Sequence, residues 1–316
     1  MIKILANDGI DPVGKSLLEQ AGFVVDTEFV PQDKLVEALQ HYDGITVRSA
    51  TKLRKDLIDQ CPNLKLIGRG GVGMDNIDVD YAREKGLAVV NTPAASSLSV
   101  AELVFGHLFT GVRFLQDANR RMPVEGDTNF NNLKKAYAKG TELKGKTLGV
   151  IGFGRIGRET AAMGLRLGMN VLAYDLFPFK GHITLTFQGD VEIDIPVRTV
   201  TFEEVIRDSD FISLHTPFAA EPILGANEFE QMKNGVGIVN CSRGGTIDEK
   251  ALIAALDSGK VGFAGLDVFD NEPTPLAAIL QHPKISLTPH IGASTNEAQE
   301  RIGAELASLI IAHFTK

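Results

Sequence analysis

Gly152, Gly154 and Gly157 form a Gly-x-Gly-x-x-Gly array, and Asp175 follows about 20 residues later. An apolar run, Leu148 to Ile151, leads into the array, and a second, Val171 to Tyr174, delivers the acid. Gly152 permits a tight turn, Gly154 lets backbone approach a pyrophosphate, and Gly157 lets a helix pack closely on a sheet. The helix start at Arg155 and Ile156 offers free N–H groups and partial positive charge to phosphates. Asp175 is placed to accept hydrogen bonds from ribose hydroxyls and to repel a 2′-phosphate; Leu176 and Phe177 bring no compensating cation. The expected ligand is therefore NAD rather than NADP.

A second array competes for that reading. Gly68-Arg69-Gly70-Gly71-Val72-Gly73 also follows an apolar run, Leu64 to Ile67. Met74 to Asp78 then reads as a loop, and the next strand, Leu87 to Val90, ends in Asn91, a weaker ribose acceptor. Only the Gly152 array has the strand, helix, strand and acid that the motif requires.

Three polar groups follow predicted strands, where open α/β sheets place their ligands. They are Asn240 to Gly245 with Arg243, Asp267 to Pro273 with Glu272, and Thr288 to Gly292 with His290. Arginine suits two-pronged contact with a carboxylate. Histidine exchanges protons near neutrality, and a neighbouring carboxylate orients it. Spacing does not show that Glu272 reaches His290. By residue type and position alone, an isolated Arg, Glu or His after a strand is more often a surface or capping residue.

The elements that must hold these groups alternate between strand and helix, which predicts α/β architecture. The 316 residues suit two domains, and 44% hydrophobic with 23% charged residues is ordinary for a soluble globular chain. No apolar run is long enough to cross a bilayer. Two cysteines, Cys61 and Cys241, make a disulfide framework improbable and fit a cytoplasmic location, and the net charge of -8 argues against nucleic-acid binding. Strands are expected at Ile2 to Ala6, Phe23 to Thr27, Gly44 to Val47, Phe211 to Leu214, Val236 to Val239 and Phe263 to Leu266. Helices are expected at Pro12 to Ala21, behind an Asp78 cap as far as Gly86, over Ser97 to Asn119, behind caps at Thr201 and Asp248, and over Thr295 to Phe314. Pro123 to Lys139 reads as polar and less regular. Period-two alternation at Ile183 to Phe187 and Val191 to Ile195 around Gly189 predicts a β-hairpin.

From Ile2 to about Ile311 the chain resembles the D-isomer-specific 2-hydroxyacid dehydrogenases. The resemblance is carried by Val47 to Thr51, Gly68 to Asn76, Asn91-Thr92-Pro93, Lys144 to Gly157, and His215-Thr216-Pro217. Cys241 to Gly245, Asp267-Val268-Phe269 with Glu272-Pro273, and Pro289 to Ser294 complete it. Within the family the chain is most similar to the catalytic core of the phosphoglycerate dehydrogenases. The resemblance implies two Rossmann-like or flavodoxin-like domains with parallel sheets and a cleft between them. The substrate domain would be residues 1–92 with 289–316, and the NAD domain residues 93–288. It implies that Arg243, Glu272 and His290 are catalytic, and that His215, Thr216, Pro217, Cys241 and Asp267 line the cofactor site. Val72 and Gly73 main chain would hold a substrate carboxylate, Asn91 would lie near the substrate, and Arg48 and Arg69 would favour a phosphorylated one.

The implied reaction is NAD-dependent oxidation of D-3-phosphoglycerate, a step of serine biosynthesis. The alternatives are reduction of glyoxylate, hydroxypyruvate or another small anionic 2-keto acid, and an NAD(H)-sensing corepressor-like binding protein. A homodimer is implied through the long helix, with Arg120 to Lys139 either approaching the neighbouring site or forming a solvated loop. No metal and no regulatory domain are expected, and hence no serine feedback through one.

Overall fold

A computed structural model describes residues 1–315. The chain divides into two α/β units, one of residues 1–99 with those from 293 onward, the other of residues 100–292.

In the first unit, β1 (Lys3–Ala6), β2 (Val24–Asp26), β3 (Gly44–Val47), β4 (Leu66–Arg69) and β5 (Ala88–Asn91) form a parallel sheet in the order β2-β1-β3-β4-β5. This is a flavodoxin-like arrangement. Ile4, Ile45, Leu66 and Ile67 are fully buried, as strands covered on both faces require. The closing helix, Asn296–Phe314, starts where Thr295 Oγ1 accepts from the Ala298 N–H at 3.1 Å. It crosses the Pro12–Gln20 helix at paired glycines: a Cβ on Gly14 would sit 2.5 Å from the Gly303 carbonyl oxygen.

The second unit holds β6 (Thr147–Ile151) and β7 (Asn170–Tyr174), followed by β8 (Lys180–Phe187) and β9 (Val191–Arg198). Next come β10 (Phe211–Leu214), β11 (Val236–Asn240), β12 (Val261–Leu266) and β13 (Ile285–Leu287). Its parallel sheet runs β13-β12-β11-β10-β6-β7. The order reverses between β6 and β10, which opens a ligand crevice at their carboxyl ends. β8 and β9 form the expected antiparallel hairpin, paired from Lys180–Arg198 to Phe187–Val191. Ile183 and Leu185 are buried on one face at mid-strand, while Gly189 and Asp190 turn the tip with positive φ.

Three local expectations are corrected. The expected helix Ser97 to Asn119 is two helices, Ser97–Val112 and Leu115–Glu125, bent by 57° with Phe114 left-handed between them. The apolar face formed by Val100, Val104 and Leu108 ends near Gly111, which closes on the Phe263 ring; Leu115–Glu125 buries no residue. Pro123 to Lys139 is more regular than expected. Leu115–Glu125 continues through Pro123, and Phe130–Ala136 is helical. An Arg121–Glu125 ion pair and a 2.6 Å bond from Tyr137 Oη to Asp117 tie this segment together. Asp78 precedes its helix without capping it. Its carboxylate accepts instead from Arg54 and the Lys55 N–H. Among the described residues no single helix is long and apolar enough to cross a membrane.

Candidate active site

β6 runs into the glycine loop. Gly152 has φ 93°, and a Cβ there would lie 2.6 Å from the His215 carbonyl oxygen. A Cβ on Gly157 would meet the Gly152 oxygen at 2.0 Å, so only glycine lets the helix Arg155–Arg166 sit this close. Gly154 differs: nothing lies within 4 Å of its missing Cβ, and no side chain caps the helix that follows. The loop is thus closed on the protein side and open at the helix N-terminus, as a pyrophosphate requires. Asp175, just after β7, accepts from the Phe153 N–H at 2.6 Å and the Phe177 N–H at 2.9 Å. Each oxygen keeps a further lone pair for a ribose hydroxyl.

His215 follows β10. Its Nε2 lies 2.9 Å from Ser213 Oγ, and its buried Nδ1 has no partner among the described residues. Burial pushes its pKa down to about 3, so the ring is neutral and unsuited to act as a base near neutrality. Thr216 Oγ1 is likewise buried without a partner, while Pro217 is exposed. Burial, and then the Asp267 charge, push the Cys241 thiol well above its ordinary pKa, which leaves it inert as a nucleophile.

The three polar groups after β11, β12 and β13 converge. His290 Nδ1 lies 2.8 Å from Glu272 Oε2, while the other Glu272 oxygen accepts from the Phe269 N–H at 3.0 Å. Burial alone would raise the Glu272 carboxyl pKa. The His290 bond and charge, the Phe269 N–H and the Arg243 charge outweigh it and hold the group below its ordinary value. Arg243 Nη1 donates to the Ser242 carbonyl at 2.6 Å. The Arg243 carbonyl accepts from Asn240 Nδ2 and Thr246 Oγ1, so buried Asn240 braces the arginine loop. Asp267 is 1% exposed and braces the histidine loop. Its Oδ1 accepts from Thr288 Oγ1 at 2.6 Å and the Ile291 N–H at 2.8 Å, and its Oδ2 from the Gly292 N–H at 2.9 Å. His290 between them has φ 55°, a conformation that costs a non-glycine residue about 1–3 kcal/mol and persists only where neighbours enforce it.

In the first unit the remaining predicted residues gather on the Gly70–Gly73 loop. Asn91 Nδ2 donates to the Val72 carbonyl at 2.7 Å, and Arg69 Nη1 to the Gly70 carbonyl at 3.1 Å. Arg48 packs beside Gly70, its N–H donating to Asp8 at 2.7 Å. Arg48 and Gly70 also line a cavity of about 630 Å³ that includes Asp8, Asp11 and Glu300. Val72 and Gly73 are half-buried. Sequence reasoning missed the bracing by Asn240, Thr288 and Asp267; a polar side chain at each strand end was the available signal.

The description "D-isomer specific 2-hydroxyacid dehydrogenase, NAD binding domain" belongs to a family model that matches residues 105–292. The chain belongs to this family. It is 43% identical over 314 residues to a hydroxypyruvate reductase of Thermotoga maritima, covering 98% of this chain and 97% of that protein. It is 40% identical over 308 residues to the D-3-phosphoglycerate dehydrogenase of Homo sapiens, covering 96% of this chain and 55% of the relative. The chain therefore spans little more than half of the phosphoglycerate dehydrogenases it matches. Among solved structures, a glyoxylate reductase from Paecilomyes thermophila superposes with a TM-score of 0.82 at 30% identity, covering 100% of this chain and 96% of that one. A D-lactate dehydrogenase from Aquifex aeolicus, complexed with NAD and lactic acid, gives 0.75 at 29% identity, covering 99% and 95%. This 2-hydroxyacid dehydrogenase is an NAD-dependent oxidoreductase of a family acting on small 2-hydroxy and 2-keto acids. The open Gly154, the uncapped helix and the Asp175 carboxylate fit NAD.

Proposed function

We propose that the enzyme oxidises D-3-phosphoglycerate to 3-phosphohydroxypyruvate. The carrying observation is the pair of arginines, Arg48 and Arg69, set on the Gly70–Gly73 loop. Two guanidinium groups at one loop suit a substrate that carries a phosphate as well as a carboxylate, because arginine matches the geometry of both anions. Val72 and Gly73 are assigned as main-chain donors to the carboxylate.

Bound NAD supplies the hydride acceptor. Glu272 holds the Nδ1–H of His290, which leaves Nε2 to take the substrate hydroxyl proton in oxidation and to return it in reduction. Arg243 polarises the carbonyl and anchors the carboxylate. His290→Ala is expected to lower turnover by about 10²–10⁴-fold, with NAD affinity nearly unchanged.

A second reading, reduction of hydroxypyruvate, is favoured by the similarity to the Thermotoga maritima protein along nearly its full length. Steady-state rates with phosphohydroxypyruvate, hydroxypyruvate and glyoxylate decide between the two. Arg69→Ala and Arg48→Ala are expected to impair the phosphorylated substrate far more than glyoxylate; equal losses on all substrates remove the phosphate argument. The family reading also carries a homodimer through Ser97–Val112, where Leu98 and Phe109 are exposed. Sedimentation of an active monomer would reject it.

A further inference from the structure

His107 lies midway along the Ser97–Val112 helix, yet it is only 2% exposed. It is pressed against β12 at Gly265, where a Cβ would lie 2.4 Å from the His107 Cβ. Both ring nitrogens face hydroxyls: Nδ1 lies 2.9 Å from Ser286 Oγ, and Nε2 lies 3.0 Å from Thr288 Oγ1.

Hydrogen-bond logic sets the directions. The single Thr288 hydroxyl hydrogen goes to Asp267 Oδ1, so Thr288 accepts from His107 Nε2–H. Nδ1 is then the acceptor for Ser286. The chain continues from Thr288 to Asp267, and from Asp267 to the Ile291 and Gly292 N–H groups that directly follow His290. Burial holds the His107 pKa below its ordinary value against the opposing charge of Asp267, which keeps the ring a neutral donor.

We propose that His107 is a positioning residue for His290, acting through the Thr288–Asp267 bracket that holds the catalytic loop in its left-handed turn. Nothing in the mechanism above uses His107, and it does not touch the reacting groups. Its place in a helix remote in sequence ties the loop to the body of the dinucleotide unit. Without the Nε2 donor, Thr288 loses a partner that fixes its hydroxyl toward Asp267. The bracket then loosens and His290 samples unproductive orientations.

This rests on the reading of His290 as the acid–base residue, and two kinds of measurement keep the two apart. His107→Met and Thr288→Val are each expected to lower kcat about 10- to 100-fold, the scale of an ångström-level misplacement, with KM for NADH unchanged. Hydrogen exchange across residues 288–292 should quicken in both. His107→Gln keeps an Nε2 donor and should restore most of the rate and the protection. The double variant should lose no more than the worse single one, because both changes break one chain. Wild-type exchange in both single variants, a His107→Gln enzyme as impaired as His107→Met, or additive losses in the double variant overturn the proposal. If His107→Met does not fold, Thr288→Val carries the test. Full activity in His290→Asn would instead defeat the acid–base reading, while the exchange data still decide the role of His107.

Discussion

His290 Nδ1 and Glu272 Oε2 meet at 2.8 Å although the two residues follow different strands, β13 and β12. Burial alone would raise the Glu272 carboxyl pKa, but the His290 bond and charge help hold it below its ordinary value.

Glu272→Gln tests this through pH. The Glu272 carboxylate persists below the ordinary glutamate range and is lost only as pH falls through its lowered value, whereas glutamine keeps an acceptor with no charge to lose. The native enzyme should therefore lose activity at acid pH where that carboxylate protonates and releases His290, and the variant should lack this limb. Profiles of kcat/KM in both directions check this; an acid limb unchanged in the variant would show that Glu272 does not cause it.

Asp175→Ala should weaken NAD binding by roughly 1–3 kcal/mol through loss of charged hydrogen bonds, and should narrow the preference for NAD over NADP. The side chain also receives the Phe153 and Phe177 N–H groups, so part of the loss comes through the glycine loop. Cofactor titration by fluorescence, with a melting curve of the variant alone, separates the two contributions. Unchanged affinity for both cofactors would remove Asp175 from the ribose site.

Glu249→Gln should change how stability depends on pH. Glu249 is 6% exposed, and its carboxylate accepts from the Asp270 N–H at 3.0 Å. Burial raises its pKa, the Asp270 N–H opposes this, and the Asp270 charge adds to the rise. The folded state therefore holds this proton more tightly than the unfolded chain. The native enzyme should lose stability as pH rises from the ordinary glutamate value through the raised folded one. Glutamine keeps an acceptor without a charge, so the variant should lack that decline. Urea denaturation from mildly acidic to neutral pH compares them; parallel curves would contradict the assignment.

Much of the fold was legible because its signals are local. Glycine spacing marked the tight turn from β6 into the next helix, apolar runs marked the strands, and period-two alternation around Gly189 marked the hairpin. The helix break at Phe114 was not legible. The residues beyond Val112 have adequate helix propensity, but the surface that holds the preceding helix stops near Phe263. Asp78 misled for a similar reason: the competing partners, Arg54 and Lys55, come from an earlier segment.

By itself the sequence determined which residue types stand at the ends of which strands. Arg243, Glu272 and His290 each follow an apolar run, and the parallel sheet carries such ends to one edge. Chain order and apolar pattern suffice for that, because crossover connections return each strand in the same direction. Only the tertiary structure decided that Glu272 engages His290, that Asp267 grips the Ile291 and Gly292 N–H groups, and that His107 reaches Thr288. Those bonds depend on strand register and on how closely the helix approaches β12 at Gly265, and neither is encoded within any single segment.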